Sequence, residues 1–341
     1  MKIVFAFLAS VLFLSCTSSK NGMSSSENDV DFTLAFGSCN RTDLPNLLWD
    51  DVINTKPNIW IWGGDNIYAD TDDMMLLRKM YKEQKAVEGY SKLMDITEIT
   101  GTWDDHDYGL NDGGVEFASK QESQQEFWNF MDIPAQSPLR KQEGVYRSKD
   151  FILTNGTIKI IILDTRYFRT PLTPDHDTDK RIKPNDYGTG SILGKKQWTW
   201  LENELANSKA DFNIIVSSIQ FLSNEHGFET WGNFPHEVDK LEEIIVNTKA
   251  KGVVILSGDR HISEFSRKSL IGVSYPLIDF TSSGLTHAYK GFNGESNPFR
   301  VGKVIFTESF GLLKFNMKTK KIDFQIVGDD GEVLEKIEQV F

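Results

Sequence analysis

Apolar residues along the chain fall into two kinds of stretch. Short, mostly apolar runs occur at Phe32–Phe36, Ile59–Trp62, Ile158–Leu163, Phe212–Val216 and Val253–Leu256. Runs of this length, rich in Ile, Val and Phe, are the signature of strands covered on both faces. Between them lie longer stretches of helical character, Asn46–Thr55, Met74–Met94, Gln121–Met131, Lys195–Ser208 and His236–Thr248. In the fourth, Trp198, Leu201 and Leu205 recur at three- and four-residue steps, which puts them on one helix face. Strand and helix signals that alternate in this way predict an α/β fold. Beyond residue 300 the pattern changes to short alternating segments, Val304–Thr307, Gly311–Asn316 and Ile322–Ile326, separated by turn-forming residues. These predict antiparallel strands that close a sheet. No repeat or linker interrupts residues 31–341, so the pattern predicts one domain there.

The first thirty residues follow a different plan. Lys2 precedes an apolar run from Ile3 to Leu14, and Ser15-Cys16 follows. The run is too short to span a bilayer and has the layout of a signal peptide. Ser15-Cys16 resembles a bacterial lipoprotein cleavage site, which predicts a signal over residues 1–15 and a lipidated Cys16. An ordinary secretory signal cut nearby is the alternative. Residues 16–30 are Ser-rich and polar, as a tether is. This reading places the protein in the bacterial cell envelope, anchored to a membrane through Cys16 and facing the periplasm or the cell surface.

Charge and cysteine content narrow the chemistry. Lys and Arg number 37 against 49 Asp and Glu, a net charge of −12. No basic surface for nucleic acid is indicated, because phosphate neutralisation needs one. An anionic substrate remains open if bound metal ions supply the local positive charge. The chain has two cysteines, too few for a disulfide framework. With Cys16 lipidated, Cys39 would be a lone thiol in the envelope.

Acidic and turn residues gather where the strands end. Phe32–Phe36 runs into Gly37-Ser38-Cys39-Asn40, and Ile59–Trp62 into Gly63-Gly64-Asp65-Asn66-Ile67-Tyr68-Ala69-Asp70. Ile99–Trp103 leads to Asp104-Asp105-His106-Asp107, with Asn111 close behind, and Val253–Leu256 to Ser257-Gly258-Asp259-Arg260-His261. Ligands of open α/β sheets sit at the carboxyl ends of strands. Adjacent carboxylates repel unless a cation or hydrogen bonds compensate, and Asp259-x-His261 pairs an oxygen donor with an imidazole. The residues therefore point to a metal site, although Asp after Gly is also ordinary turn chemistry.

Five blocks in order resemble the alkaline phosphatase D family of the calcineurin-like metallophosphoesterases. They are Phe-Gly-Ser-Cys-Asn at 36–40, Gly-Asp-Asn-Ile-Tyr at 64–68, Trp-Asp-Asp-His-Asp at 103–107, Leu-Asp-Thr-Arg at 163–166 and Gly-Asp-Arg-His at 258–261. The resemblance implies a sandwich of two mixed β-sheets flanked by helices, with metals at the strand ends. It implies that Asp65 bridges two ions, and that Cys39, Tyr68 and His261 join it around ferric iron. Asp105 and Asp259 would be metal ligands and Asn111 an oxygen ligand to the second ion, whose oxygen-rich site suits calcium, with manganese and zinc as open alternatives. Ser217-Ser218-Ile219-Gln220 stands where the wider superfamily has a histidine ligand, which agrees with an oxygen-rich site. His106 would assist the leaving group and Asp107 would orient it.

Substrate contacts are less defined. Arg41 and Arg166 are candidate phosphate clamps, Arg166 being alternatively a structural partner of Asp164. Gln220 and Trp231 are candidate substrate contacts, Trp231 alternatively an aromatic of its own loop. The implied activity is hydrolysis of phosphate mono- or diesters. A calcium-binding surface lipoprotein of the same fold without turnover is the competing reading. A carboxylate-pair glycosidase leaves Cys39, Tyr68 and His261 without a role.

Overall fold

A computed structural model of the protein describes residues 30–341. The expected signal peptide, Cys16 and nearly all of the tether lie outside the described residues. Along the chain come β1 (Phe32–Gly37), α1 (Trp49–Asn54), β2 (Ile59–Gly63), α2 (Met74–Ala86), α3 (Glu88–Ile96), β3 (Glu98–Thr102), the single turn α4 (Asp105–Tyr108) and α5 (Lys120–Phe130). Then follow the hairpin β4 (Arg147–Leu153) and β5 (Gly156–Ile162), a small ribbon of β6 (Thr173–Pro174) and β7 (Ile182–Lys183), α6 (Gly194–Asn207), β8 (Phe212–Val216) and α7 (Pro235–Thr248). The last part holds β9 (Val253–Ser257), β10 (Ser263–Lys268), β11 (Leu277–Ser282), β12 (Arg300–Ile305), β13 (Phe310–Asn316), β14 (Lys321–Val327) and β15 (Val333–Val340).

Two sheets carry the core. One has the order β15-β14-β13-β1-β2-β3 and the other β12-β10-β11-β9-β8-β5-β4. β1, β2 and β3 are parallel, as are β5, β8, β9 and β11; antiparallel strands extend the first sheet beyond β1 and the second on both sides, and β3 is the parallel edge of the first. The pleat sorts side chains between layers. Phe32, Leu34 and Phe36 of β1 point between the sheets, where they join Ile158, Ile160 and Ile162 of β5 and Phe280 of β11. Ala35, Trp60 and Trp62 point the other way, under Trp49, Leu77, Tyr81, Tyr90 and Phe127 of the first helical layer. On the far side, Ile161, Ile215 and Ile255 pack beneath Trp198, Leu201 and Leu205 of α6 and Leu241 and Ile245 of α7. The result is the predicted α/β sandwich of two mixed sheets flanked by helices.

The structure departs from the sequence reading in three respects. The stretch 74–94, expected as one helix, is α2 and α3 meeting at Val87, whose backbone is extended (φ −59°, ψ 122°). The break lets Leu77 and Tyr81 of one helix and Tyr90 and Leu93 of the other bury in the same cluster. β12 begins at Arg300, earlier than expected, and joins the second sheet rather than the first. β4, β10, β11 and β15 carry no continuous apolar run. β15, with Glu335, Lys336 and Glu338, is a charged edge of the kind that discourages pairing with other chains.

The carboxyl ends of the parallel strands meet at one rim. Ser38 O accepts from the N–H groups of Gly284 and Leu285 (3.1 Å each), and Gly258 N–H donates to Ser218 O (3.0 Å). Thr102 Oγ1 donates to Leu163 O (2.7 Å), tying one sheet to the other. Two glycines are required by this closeness. A Cβ on Gly64, where φ is +101°, would stand 2.6 Å from Asp104 Cβ, and one on Gly258 would stand 2.5 Å from Ser38 Oγ. Among the described residues no helix is long and apolar enough to cross a membrane.

Candidate metal centre

Asp65 stands at the centre of the rim. Three groupings of donor atoms lie within 4.8 Å of one another: Cys39, Asp65 and His261; Asp65, Asp105 and His106; and Asp65, Asp104, Asp105 and Asp259. Every one contains Asp65. Cys39 Sγ approaches Asp65 Oδ2 at 3.3 Å, and the Tyr68 hydroxyl donates to the same oxygen at 3.2 Å. Tyr68 OH also lies 2.9 Å from His261 Nε2. On the other side, His106 N–H points at Asp65 Oδ1 (3.4 Å) and Asp105 Oδ1 (3.0 Å). The Asp112 N–H donates to Asp105 Oδ2 at 2.7 Å.

The backbone is bent to make these encounters. Cys39, Asp65, Asp259 and His261 all have left-handed φ, at 58°, 50°, 68° and 53°. For residues with a side chain this conformation costs about 1 kcal/mol or more each, and it persists where the surroundings enforce it. Each of the four lies two to four residues past the end of a buried strand, so the chain turns sharply at the rim and aims the side chain inward.

Charge at the rim is out of balance. Burial, then the neighbouring Cys39 and acids, pushes Asp65 well above the usual carboxylate range, and burial beside Asp104 and Asp105 does the same to Asp259. Burial likewise lifts Asp104 to about 7, despite Arg166, and the Cys39 thiol to about 12. Asp105 differs: burial raises it, but Arg166, His106 and the Asp112 N–H outweigh burial and hold it below the ordinary range. Burial brings His261 down to about 3, so it is a neutral imidazole with a lone pair to offer. Asp104 Oδ2 is buried without a hydrogen-bond partner. Buried carboxylates, a buried thiol and a neutral imidazole packed around one shared oxygen donor fit cations, which would replace the protons these groups otherwise hold.

His106 lies beside this cluster, and its support differs from the expected one. Its Nδ1 is held by both oxygens of Asp70, at 2.8 and 2.9 Å. Burial lowers the imidazole's basicity, but the hydrogen bond that its ring N–H donates to Asp70 and the charge of Asp105 outweigh it and raise the pKa. Its ring lies tilted against that of Tyr68, with centroids 4.1 Å apart. Asp107 does not orient His106. One of its oxygens accepts the Asp104 N–H at 2.7 Å, closing the capping box of α4, and the other takes Asn66 Nδ2 and the Tyr81 hydroxyl. On a helical turn, neighbouring side chains diverge by about 100°, so Asp107 turns into the core as His106 turns out.

The expected substrate contacts are mostly displaced. Arg166 is fully buried, pairing with Asp104 (2.6 Å) and Glu229 (2.6 Å), and cannot reach a substrate. It is a structural partner, though its guanidinium meets Asp104 rather than Asp164; Asp164 takes only the Arg166 N–H. Gln220 is buried, with Nε2 bonded to Glu264 and Thr281. Trp231 is fully buried against Trp198 and Phe221, and its indole N–H donates to Ser217. Arg41 is exposed and paired with Asp43, lining a neighbouring depression on the other side of Tyr68. Asn111 stands at the rim of a pocket of about 300 Å³ that also exposes Asp105, His106, Asp259 and His261.

The sequence reading did not single out Asp70, Asp104 or His287, whose ring lies 4.5 Å from that of His261 and 5.0 Å from that of Tyr68. Asp70 and Asp104 stand in the acidic runs already noted, but only the turn geometry selects them. His287 follows β11, a strand without a sequence signal.

Comparison with known proteins bears on the family and the fold. A sequence model of the PhoD-like phosphatases matches residues 34–268. Alkaline phosphatase D of Bacillus subtilis (strain 168) is 27% identical over 143 residues, which is 36% of this chain and 24% of that protein. The match thus spans about a quarter of the curated relative's length. Among solved structures, that of PhoD superposes with a TM-score of 0.71 at 18% identity, covering 91% of this chain and 68% of that one. A dimetal phosphatase from Danio rerio gives 0.56 at 12% identity, over 92% of this chain and all of its own. GAP50, the anchor in the inner membrane complex of Plasmodium, gives 0.60 at 13% identity, over 92% and 89%. At these identities the structural matches speak for the fold, and the family model, covering more than half of the chain, decides kinship: the protein belongs to the PhoD-like phosphatase family.

Proposed function

We propose that the protein is a metal-dependent hydrolase of phosphate mono- or diesters. The observation that carries this reading is the convergence of two donor groups on Asp65, with His106 beside them and open to the same pocket. Cys39, Asp65, Tyr68 and His261 would hold one ion, a set suited to ferric iron. Asp65, Asp105 and Asp259, with Asp104 behind them and Asn111 at the rim, would hold a second, for which oxygen donors favour calcium. Bound there, the ions supply Lewis-acid polarisation of the phosphoryl group and activation of water at near-neutral pH.

The chain's own residues do the rest. Asp70 fixes the His106 ring through Nδ1, which leaves Nε2 to donate a proton to the departing oxygen. Arg166 and Arg169 offset the buried acids Asp104 and Glu229 and keep the floor of the site in place. A carboxylate-backed imidazole at the pocket supports turnover over a calcium-binding protein without activity, which has no use for it. The lipidated Cys16 and the envelope location belong to the same proposal.

Elemental analysis with phosphate-ester turnover tests this. Iron and calcium in the purified protein, a visible absorption band from tyrosinate or thiolate on iron, and hydrolysis of nitrophenyl esters are expected. His106→Ala should retain both metals and lose roughly 100- to 10,000-fold on an alkyl ester, with much smaller losses on a nitrophenyl one. Zinc alone with no visible band would overturn the iron assignment, and calcium binding without turnover of any phosphate ester would favour the binding protein.

A further inference from the structure

We propose that Arg181 and Phe228 form the wall that positions the substrate over His106. The guanidinium takes a phosphoryl oxygen and the ring takes a flat organic group, so that aromatic phosphate esters are preferred to short alkyl ones. The inference rests on the hydrolase reading above and names its substrate class. Neither residue belongs to a motif of the family resemblance.

The pocket of about 300 Å³ is at the small end for ligand sites, room enough for a small ester. Its lining includes His106, Asp259 and His261 together with Arg181, Phe228 and Arg260. Beyond the ions, a cationic side chain would steady a phosphoryl oxygen there, and the two arginines expected from sequence are not available. Arg166 is sealed in the core, and Arg41 lies beyond Tyr68. Arg260 is spent as well: its side chain is 8% exposed and its Nη2 takes both oxygens of Glu295, at 2.7 and 2.9 Å.

Arg181 is placed to serve. Its side chain is 58% exposed, and only Nη2 is engaged, on Asp112 at 2.5 Å. An exposed pair of this kind is worth little, so a phosphate displaces Asp112 at small cost. Its reach is defined, because the Asp112 N–H is bonded to Asp105, a proposed ligand. Its backbone is held too: the Arg181 and Ile182 N–H groups both donate to Gly227 O, at 3.1 and 3.0 Å. That contact fastens the long polar excursion after Tyr167 to the loop that carries Phe228. Phe228 in turn is steadied by the Arg260 guanidinium 4.1 Å from its ring, while the Arg181 guanidinium lies 5.9 Å from it.

Binding of phenylphosphonate and methylphosphonate to the full chain, measured by calorimetry on the protein with its metals, tests the wall apart from turnover. Wild type should bind the phenyl compound more tightly. Arg181→Ala should weaken both about tenfold, with partial recovery in Arg181→Lys. Phe228→Leu should weaken phenylphosphonate about fivefold and leave methylphosphonate within twofold. The proposal is overturned if Arg181→Ala leaves both within twofold or loses metal, if Phe228→Leu weakens both alike, or if wild type binds neither or shows no phenyl preference. Selective binding with no hydrolysis of any phosphate ester would sink the hydrolase reading and leave the wall standing. Hydrolysis with no preference for the phenyl compound would do the reverse.

Discussion

Two sides of one carboxylate make different chemistry from the same rim. On one side of Asp65, Cys39, Tyr68 and His261 offer sulfur, a phenol oxygen and an imidazole nitrogen. On the other side, Asp104, Asp105 and Asp259 offer carboxylate oxygen alone. Soft and aromatic donors select transition metals, and hard oxygens select calcium or magnesium. The burial on each side also works differently. The thiol and imidazole are held in their neutral forms by desolvation, whereas the carboxylates crowd one another and one of them, Asp105, is kept ionised by Arg166 and His106. In the reading proposed above, a shared ligand between unlike halves would let a single strand end serve two ions of different character.

The comparison breaks most completely at its common member. Asp65→Asn should lose both metals and lower turnover by more than about a thousandfold, with elemental analysis as the check. Retention of both ions at wild-type ratio would refute the bridging role. A finer cut separates the halves: Cys39→Ser should remove iron and the visible band while calcium stays, and Asp105→Asn should remove calcium while the band stays. Loss of both ions in either variant would show the halves to be one cooperative site.

The smallest expected effect concerns the group that steadies His106. Asp70→Asn should keep both metals and the melting temperature, and lower kcat on an alkyl ester about 10- to 100-fold with KM little changed. Asp107→Asn, which disturbs the α4 cap and the bonds from Asn66 and Tyr81, should instead cost about 1–3 kcal/mol of stability. The two substitutions exchange outcomes if Asp107 is the true support of His106.

Legibility in the sequence followed distance along the chain. Cys39, Asp65, Asp259 and His261 each sit within a few residues of a strand end, so a strong apolar run announces where they will be. The chain's course through Asp104-Asp105-His106-Asp107 is different. Four polar neighbours on one helical turn face four directions, and which carboxylate meets the site depends on where α4 is capped. Gln220 and Trp231 stand near each other in the chain, and both read as substrate contacts from the sequence. In the fold, Trp231 instead fills a gap between Trp198 and Phe221, and the neighbouring Phe228 reaches the pocket.

The order of apolar runs by itself determined the layers, because a run buried on both faces has few places to go other than the middle of a covered sheet. It also determined which loops would end at the rim, since parallel strands deliver their following residues to the same side. Tertiary structure alone decided the partners. That Arg166 neutralises Asp104, that Asp70 holds His106, and that Arg181 is pinned to Gly227 all join residues at least 36 positions apart. Such pairings depend on how two sheets and their loops close on each other in three dimensions, and local pattern carries no record of that closure.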